Sequence, residues 1–74
     1  MEQITIQLRG DYIELNQLLK LAGACNSGGE GKMLVAEGIV KVNGTVELRK
    51  TYKVRAGETV VLEDLEIKVV APDQ

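Results

Sequence analysis

The stretch Ser27 to Gly44, reading SGGEGKMLVAEGIVKVNG, decides the fold. Ser27 stands three residues before Glu30, the spacing of a capping box. The hydroxyl can accept from an early helix amide while the carboxylate reaches back toward the cap. This predicts a helix running to Glu37 and stopping at Gly38, where glycine enters the left-handed region without steric cost. Ile39 to Val42 then alternates and is rich in β-branched residues, which predicts a strand with Val40 and Val42 inward and Lys41 outward. Asn43-Gly44 is a two-residue hairpin signal that requires positive φ. One helix therefore feeds directly into a β-hairpin.

Upstream, Ile4, Ile6 and Leu8 alternate with Thr5, Gln7 and Arg9, the pattern of a half-buried strand, and Gly10-Asp11 breaks it. Leu15, Leu18, Leu19 and Ala22 recur at helical spacing, with Glu14 expected as the acid of the first turn and Gly23 as the stop. The short link to Ser27 predicts a compact helix pair. Gly31 inside the second helix costs about 1 kcal/mol relative to alanine. That cost points to close backbone approach, either to the first helix or to a phosphate, and packing is the favoured reading. At the helix entrance the free amides of Gly28 and Gly29 suit an anion instead.

Downstream, Arg49, Thr51, Lys53 and Arg55 alternate with Lys50, Tyr52 and Val54. An extended conformation would carry Arg49, Lys53 and Arg55 along one side. Ala56-Gly57-Glu58 reads as a turn, Thr59 to Leu62 as a strand, and Glu63-Asp64 as a second turn. Leu65 to Val70 reads as the last strand, with Ile67 and Val69 inward. Residues 71–74 are expected to fray. The fold class is α+β: two short helices packed on a small, mostly antiparallel sheet that includes the N-terminal strand.

A chain of 74 residues with 45% hydrophobic and 27% charged side chains suits one soluble domain, and is too short for two. The single cysteine cannot form an internal disulfide, and without histidine no ordinary zinc site or catalytic triad can be built. Neither a leader nor a run of about 18 apolar residues is present, so the expected location is the cytoplasm. Net charge is −2, yet the charge is unevenly spread. Residues 31–55 hold Lys32, Lys41, Arg49, Lys50, Lys53 and Arg55 against only Glu37 and Glu47. The remainder holds three basic and nine acidic residues. Such a cluster can be a solvated face, or a local patch that binds phosphate whatever the global sum.

The serine-led helix, the glycine stop and the V-x-V-N-G hairpin together resemble the S4-like RNA-binding domain, also called the αL motif. The pattern is most similar to its small free-standing bacterial members, the YbcJ-like proteins. In that resemblance YIELNQLLKLAG is the first helix and SGGEGKMLVAEG the second. VKVNG, VELRKTYKV and AGETVVL then form the sheet. The resemblance implies RNA-facing positions at Lys32 and at Arg49, Lys50 and Lys53. Lys41 and Arg55 join them from charge and periodicity alone. Where the family carries a basic residue after the leading serine, this chain has Gly28. One phosphate contact is then absent or supplied by the Gly28 and Gly29 amides.

The chemistry that remains is phosphate recognition rather than catalysis. Cys25 has no accompanying base, and an acidic surface turn accounts for Glu63, Asp64 and Glu66 better than a metal site does. Basic side chains, helix amides and the hydroxyls of Ser27 and Thr51 supply donors. Tyr12 and Tyr52 are the only rings, too few for a multi-base stacking platform, so the expected mode is reading of backbone shape. The expected function is non-catalytic binding of structured RNA, of the rRNA or tRNA kind, by a monomer. No cofactor, metal or small-molecule substrate is expected. The expected site comprises Ser27, Gly28, Gly29, Lys32, Lys41, Arg49, Lys50, Lys53 and Arg55. The alternative is a protein-interaction module whose basic face docks an acidic partner.

Overall fold

In the computed structural model, which describes residues 1–72, the chain forms seven strands and two helices. In order these are β1 (Glu2–Gln7), β2 (Ile13–Glu14), α1 (Leu15–Leu21), α2 (Gly28–Ala36), β3 (Val40–Val42), β4 (Thr45–Val46), β5 (Lys53–Val54), β6 (Thr59–Leu62) and β7 (Leu65–Val70). Five strands make one sheet in the order β1-β7-β6-β3-β4. Its pairings are antiparallel except β1 with β7, which run parallel and in register from Glu2 opposite Leu65 to Gln7 opposite Val70. The remaining two strands, β2 and β5, pair separately.

Alternation along the strands places one face of the sheet under the helices. Val40 and Val42 of β3, Val60 and Leu62 of β6, and Ile67 and Val69 of β7 are buried. They meet Leu15, Leu18 and Leu19 of α1 and Val35 of α2 in one core. Burying such a side chain contributes about 1.5–3 kcal/mol against the entropy of ordering the chain. Lys41 and Lys68 alternate outward and are exposed. Among the described residues, no helix is long and apolar enough to cross a membrane.

The helix limits follow the local signals. α1 ends before Gly23 at φ +84, and α2 ends before Gly38 at φ +79. The hairpin turn holds Asn43 at φ +52 and Gly44 at φ +86, the doubly left-handed pair that Asn-Gly tolerates. The frayed tail expected over 71–74 falls partly on Asp73 and Gln74, outside the described residues. Before them, the Pro72 carbonyl accepts from Gln7 Nε2 at 2.6 Å.

Two expectations need correction. Glu14 is not a first-turn acid: it is the last residue of β2 and caps α1 in an extended conformation without a side-chain bond. The segment 49–55 is not one extended strand either. Only Lys53–Val54 pairs, and it does so with β2 rather than with the main sheet. The break has a local cause. The Glu47 carboxylate accepts from the Arg49 backbone N–H at 3.0 Å and from its guanidinium at 2.9 and 3.0 Å. Three residues later the Tyr52 N–H donates to the Arg49 carbonyl at 3.2 Å, folding the chain around Lys50 and Thr51. Side-chain bonds to nearby backbone compete with the ladder, and here they win.

Candidate nucleic-acid interface

The basic segment is positioned by the start of α1. A helix leaves its first amides without intrahelical partners. Here the Leu15 N–H donates to the Tyr52 carbonyl at 2.8 Å, and the Asn16 N–H to the Lys50 carbonyl at 3.1 Å. Those bonds make a side-chain cap at Glu14 unnecessary and clamp residues 50–53 against the helix. The Asn16 side chain, only 2% exposed, reaches the other way. Its Nδ2 donates to the Gly28 carbonyl at 3.4 Å, at the long end of the range. One residue therefore links the basic turn to the entrance of α2.

At that entrance Ser27 Oγ accepts from the Glu30 N–H at 3.1 Å, as the capping-box spacing requires. The Glu30 carboxylate accepts from the Asn26 N–H at 3.0 Å, one residue before the cap. Cys25 is half-buried and its Sγ donates to the Ser27 carbonyl at 3.3 Å, a structural role. A β-carbon at Gly31 would stand 2.5 Å from the Asn16 carbonyl oxygen, so this glycine serves close packing on α1. At Gly28 a β-carbon would meet Gln17 Nε2 at 2.6 Å, whereas at Gly29 it would touch only Ser27 Oγ, at 3.8 Å. Gly28 thus has a packing reason beside its proposed role toward an anion, and Gly29 has none.

Arg49, Thr51, Tyr52, Lys53, Arg55 and Glu58 line one open groove. The Arg49 guanidinium lies 4.8 Å from the Tyr52 ring centre. Lys53 Nζ and Arg55 Cζ lie 5.0 and 5.6 Å from the centre of the Tyr12 ring. Cations over ring faces are attracted by the ring quadrupole, by about 0.5–1 kcal/mol at exposed sites. Glu58 ties the groove together, accepting from the Tyr52 hydroxyl at 2.6 Å, Asn43 Nδ2 at 3.2 Å and the Arg55 N–H at 2.7 Å. Asn43 Oδ1 in turn accepts from the Thr59 N–H at 3.0 Å, which anchors the hairpin to the groove.

Of the residues expected at the site, Arg49, Lys53 and Arg55 share this groove despite the broken strand, with Lys50 at the turn beside it. Ser27, Gly28 and Gly29 connect to it through Asn16. Lys32 is exposed on α2 and Lys41 on the outward face of β3, and neither lines the groove. Sequence reasoning missed Tyr12, Asn16 and Glu58. Asn16 carried a signal, being a polar residue beside the apolar stripe in a first helical turn. Tyr12 carried none, because a two-residue ladder leaves no periodicity.

Two carboxylates in this cationic setting have visible electrostatic effects. The Arg49 guanidinium, donating to Glu47, holds that carboxyl below its ordinary value of 4.5. Glu58, accepting from the Tyr52 hydroxyl, favours the neutral phenol and raises it above its ordinary 10.0. Since the folded value is the higher one, this contact contributes fully below pH 10 and is lost as pH rises through the folded value. With Tyr12→Phe leaving Tyr52 as the sole phenol, Glu58→Gln should move the phenolate titration down toward 10.0. An unmoved titration would show that Glu58 does not hold the Tyr52 proton.

A model of the S4 domain family matches residues 6–70. YbcJ of Escherichia coli (strain K12) is 48% identical over 60 residues, covering 81% of this chain and 86% of YbcJ. The solution structure of E. coli YbcJ superposes with a TM-score of 0.70 at 46% identity, covering 90% of this chain and 86% of that one. It is described as revealing an αL motif involved in RNA-binding. A tyrosine–tRNA ligase of Ralstonia nicotianae is 45% identical over 56 residues, which are 76% of this chain and 14% of that enzyme. With the family model matching most of its length and YbcJ nearly half identical over most of both chains, the chain belongs to the S4 domain family.

Proposed function

We propose that this protein binds structured RNA without catalysing a reaction, gripping the phosphate backbone along the Arg49–Arg55 groove and the entrance of α2. The observation that carries the reading is the Lys50–Asn16–Gly28 linkage. It joins a cation-lined groove to a helix N-terminus, so that charge and directed amides act on one ligand. The RNA-binding described for YbcJ and the match within a tRNA ligase support the same class of partner. Ribosomal RNA or tRNA, met in the cytoplasm by a monomer, is the specific form of this proposal. Lys32 and Lys41 would then make flanking contacts outside the groove.

Neutralising about four to six phosphates makes log affinity fall against log salt with a slope of roughly −3 to −5. Titrating a folded RNA, such as a tRNA transcript, between low and physiological salt measures that slope directly. An affinity that barely responds to salt would remove the basis for a phosphate-gripping interface. Absence of RNA binding together with tight binding of an acidic protein would favour the docking alternative.

A further inference from the structure

Tyr12 is 43% exposed, and it is not among the side chains packed on the core. The contrast with Tyr52 is instructive: that ring packs against the core and donates its hydroxyl to Glu58. Tyr12 instead keeps company with two cations. The β2–β5 ladder pairs Ile13 with Val54 and Glu14 with Lys53, which sets Tyr12 opposite Arg55 at the end of the ladder. Lys53 Nζ and Arg55 Cζ then lie 5.0 and 5.6 Å from the ring centre. Both cations also line the groove. An aromatic ring that supports no core and stands at the rim of a cationic groove is placed for a ligand rather than for stability.

We propose that Tyr12 is a base-stacking residue, so that the RNA recognised carries an unpaired nucleotide beside its helical segment. The inference rests on the RNA-binding reading above. Phosphates competing for Lys53 and Arg55 draw those side chains off the ring and uncover its face. The base attached to the same stretch of backbone then has an apolar surface within reach. Base–aromatic stacking is sequence-tolerant, because every base has a π-face. It is closed to a nucleotide inside an A-form duplex, whose faces are covered by its neighbours. Backbone contacts along the groove thus set affinity, and Tyr12 adds a preference for a bulge, a loop or a fraying end.

The test compares two blunt, GC-ended RNA duplexes that differ only in a single bulged 2-aminopurine carried by one of them, a fluorescent purine whose emission reports stacking. Wild type should prefer the bulged RNA by on the order of 10-fold and alter its fluorescence on binding. Tyr12→Phe should keep both properties, and Tyr12→Leu should lose both. Because Tyr12 is uncharged, the salt slope should be the same for all three proteins. Since the ring lies outside the core, circular dichroism should find Tyr12→Leu folded. If wild type binds both RNAs equally with a steep salt slope, the phosphate-gripping function stands and the stacking role falls. If Tyr12→Leu weakens both RNAs alike and flattens the salt slope, Tyr12 merely positions the two cations, and the inference is overturned. Failure of wild type to bind either RNA at low salt would remove the function and the inference together.

Discussion

Gly31→Ala is expected to destabilise the protein by about 1–3 kcal/mol, although alanine is the better helix former by about 1 kcal/mol. The added β-carbon would stand 2.5 Å from the Asn16 carbonyl oxygen and 3.1 Å from two further backbone atoms of that residue. Backbone cannot swing aside as a side-chain end can. This backbone is also tethered, since the Asn16 N–H donates to the Lys50 carbonyl. Relief therefore requires the two helices to move apart, which opens the core around Leu15, Leu19 and Val35. A domain of this size has roughly 4–11 kcal/mol of total stability, so the loss is a substantial share. The neighbouring glycines supply graded controls. Gly29→Ala meets only Ser27 Oγ at 3.8 Å, an ordinary contact, and should gain up to about 1 kcal/mol. Gly28→Ala meets the far end of Gln17, which can rotate away, and should fall between the two. Denaturant melts of the three variants rank them. Equal stability of Gly31→Ala and Gly29→Ala would show that the helices are not held at this distance by Gly31.

The same region shows where sequence reading succeeds and where it fails. Ser27, Gly38 and Asn43-Gly44 act through contacts within a few residues, so their chemistry is written locally. Alternation at Val40–Val42 and Leu65–Val70 survives because the sheet and helices bury one face, and the burial enforces the period. The segment 49–55 also alternates, but its alternation is overridden. Glu47 captures Arg49, the Tyr52 N–H closes a turn, and the carbonyls of Lys50 and Tyr52 are taken by α1. Each of those bonds pairs groups whose meeting depends on the finished fold or on one side-chain rotamer. The basic residues still gather in one groove, though for a different reason from the one periodicity offered. They gather because the start of α1 clamps the turn and Glu58 draws Tyr52 and the Arg55 backbone inward. Tyr12 became legible only with the β2–β5 ladder, and Glu14 was misread because its helix is capped from outside its own sequence.

Removing the charges of Lys53 and Arg55 together should weaken binding of a folded RNA by on the order of 10- to 100-fold at low salt and reduce the salt slope by about 2. Both side chains line the groove, and neither is engaged in a described ion pair. Arg49 is a less clean target. It is bound to Glu47 through backbone and guanidinium, so its replacement would unmake the turn as well as the charge. Glutamine is preferable to glutamate at position 53, because Glu14 is the direct partner of Lys53 across the ladder and like charges there would strain it. The matched control is Lys20→Gln with Lys68→Gln, which makes the same change in net charge. Lys68 stands on β7 opposite Thr5 and Thr59, facing away from the core, and Lys20 sits in the last turn of α1. Neither lines the groove, so neither is placed to contact phosphates held there. The control should therefore lose much less affinity and keep its slope, with circular dichroism confirming that both proteins are folded. Equal losses from the two double variants would mean that overall charge alone governs binding, and the groove would have to be abandoned as the interface.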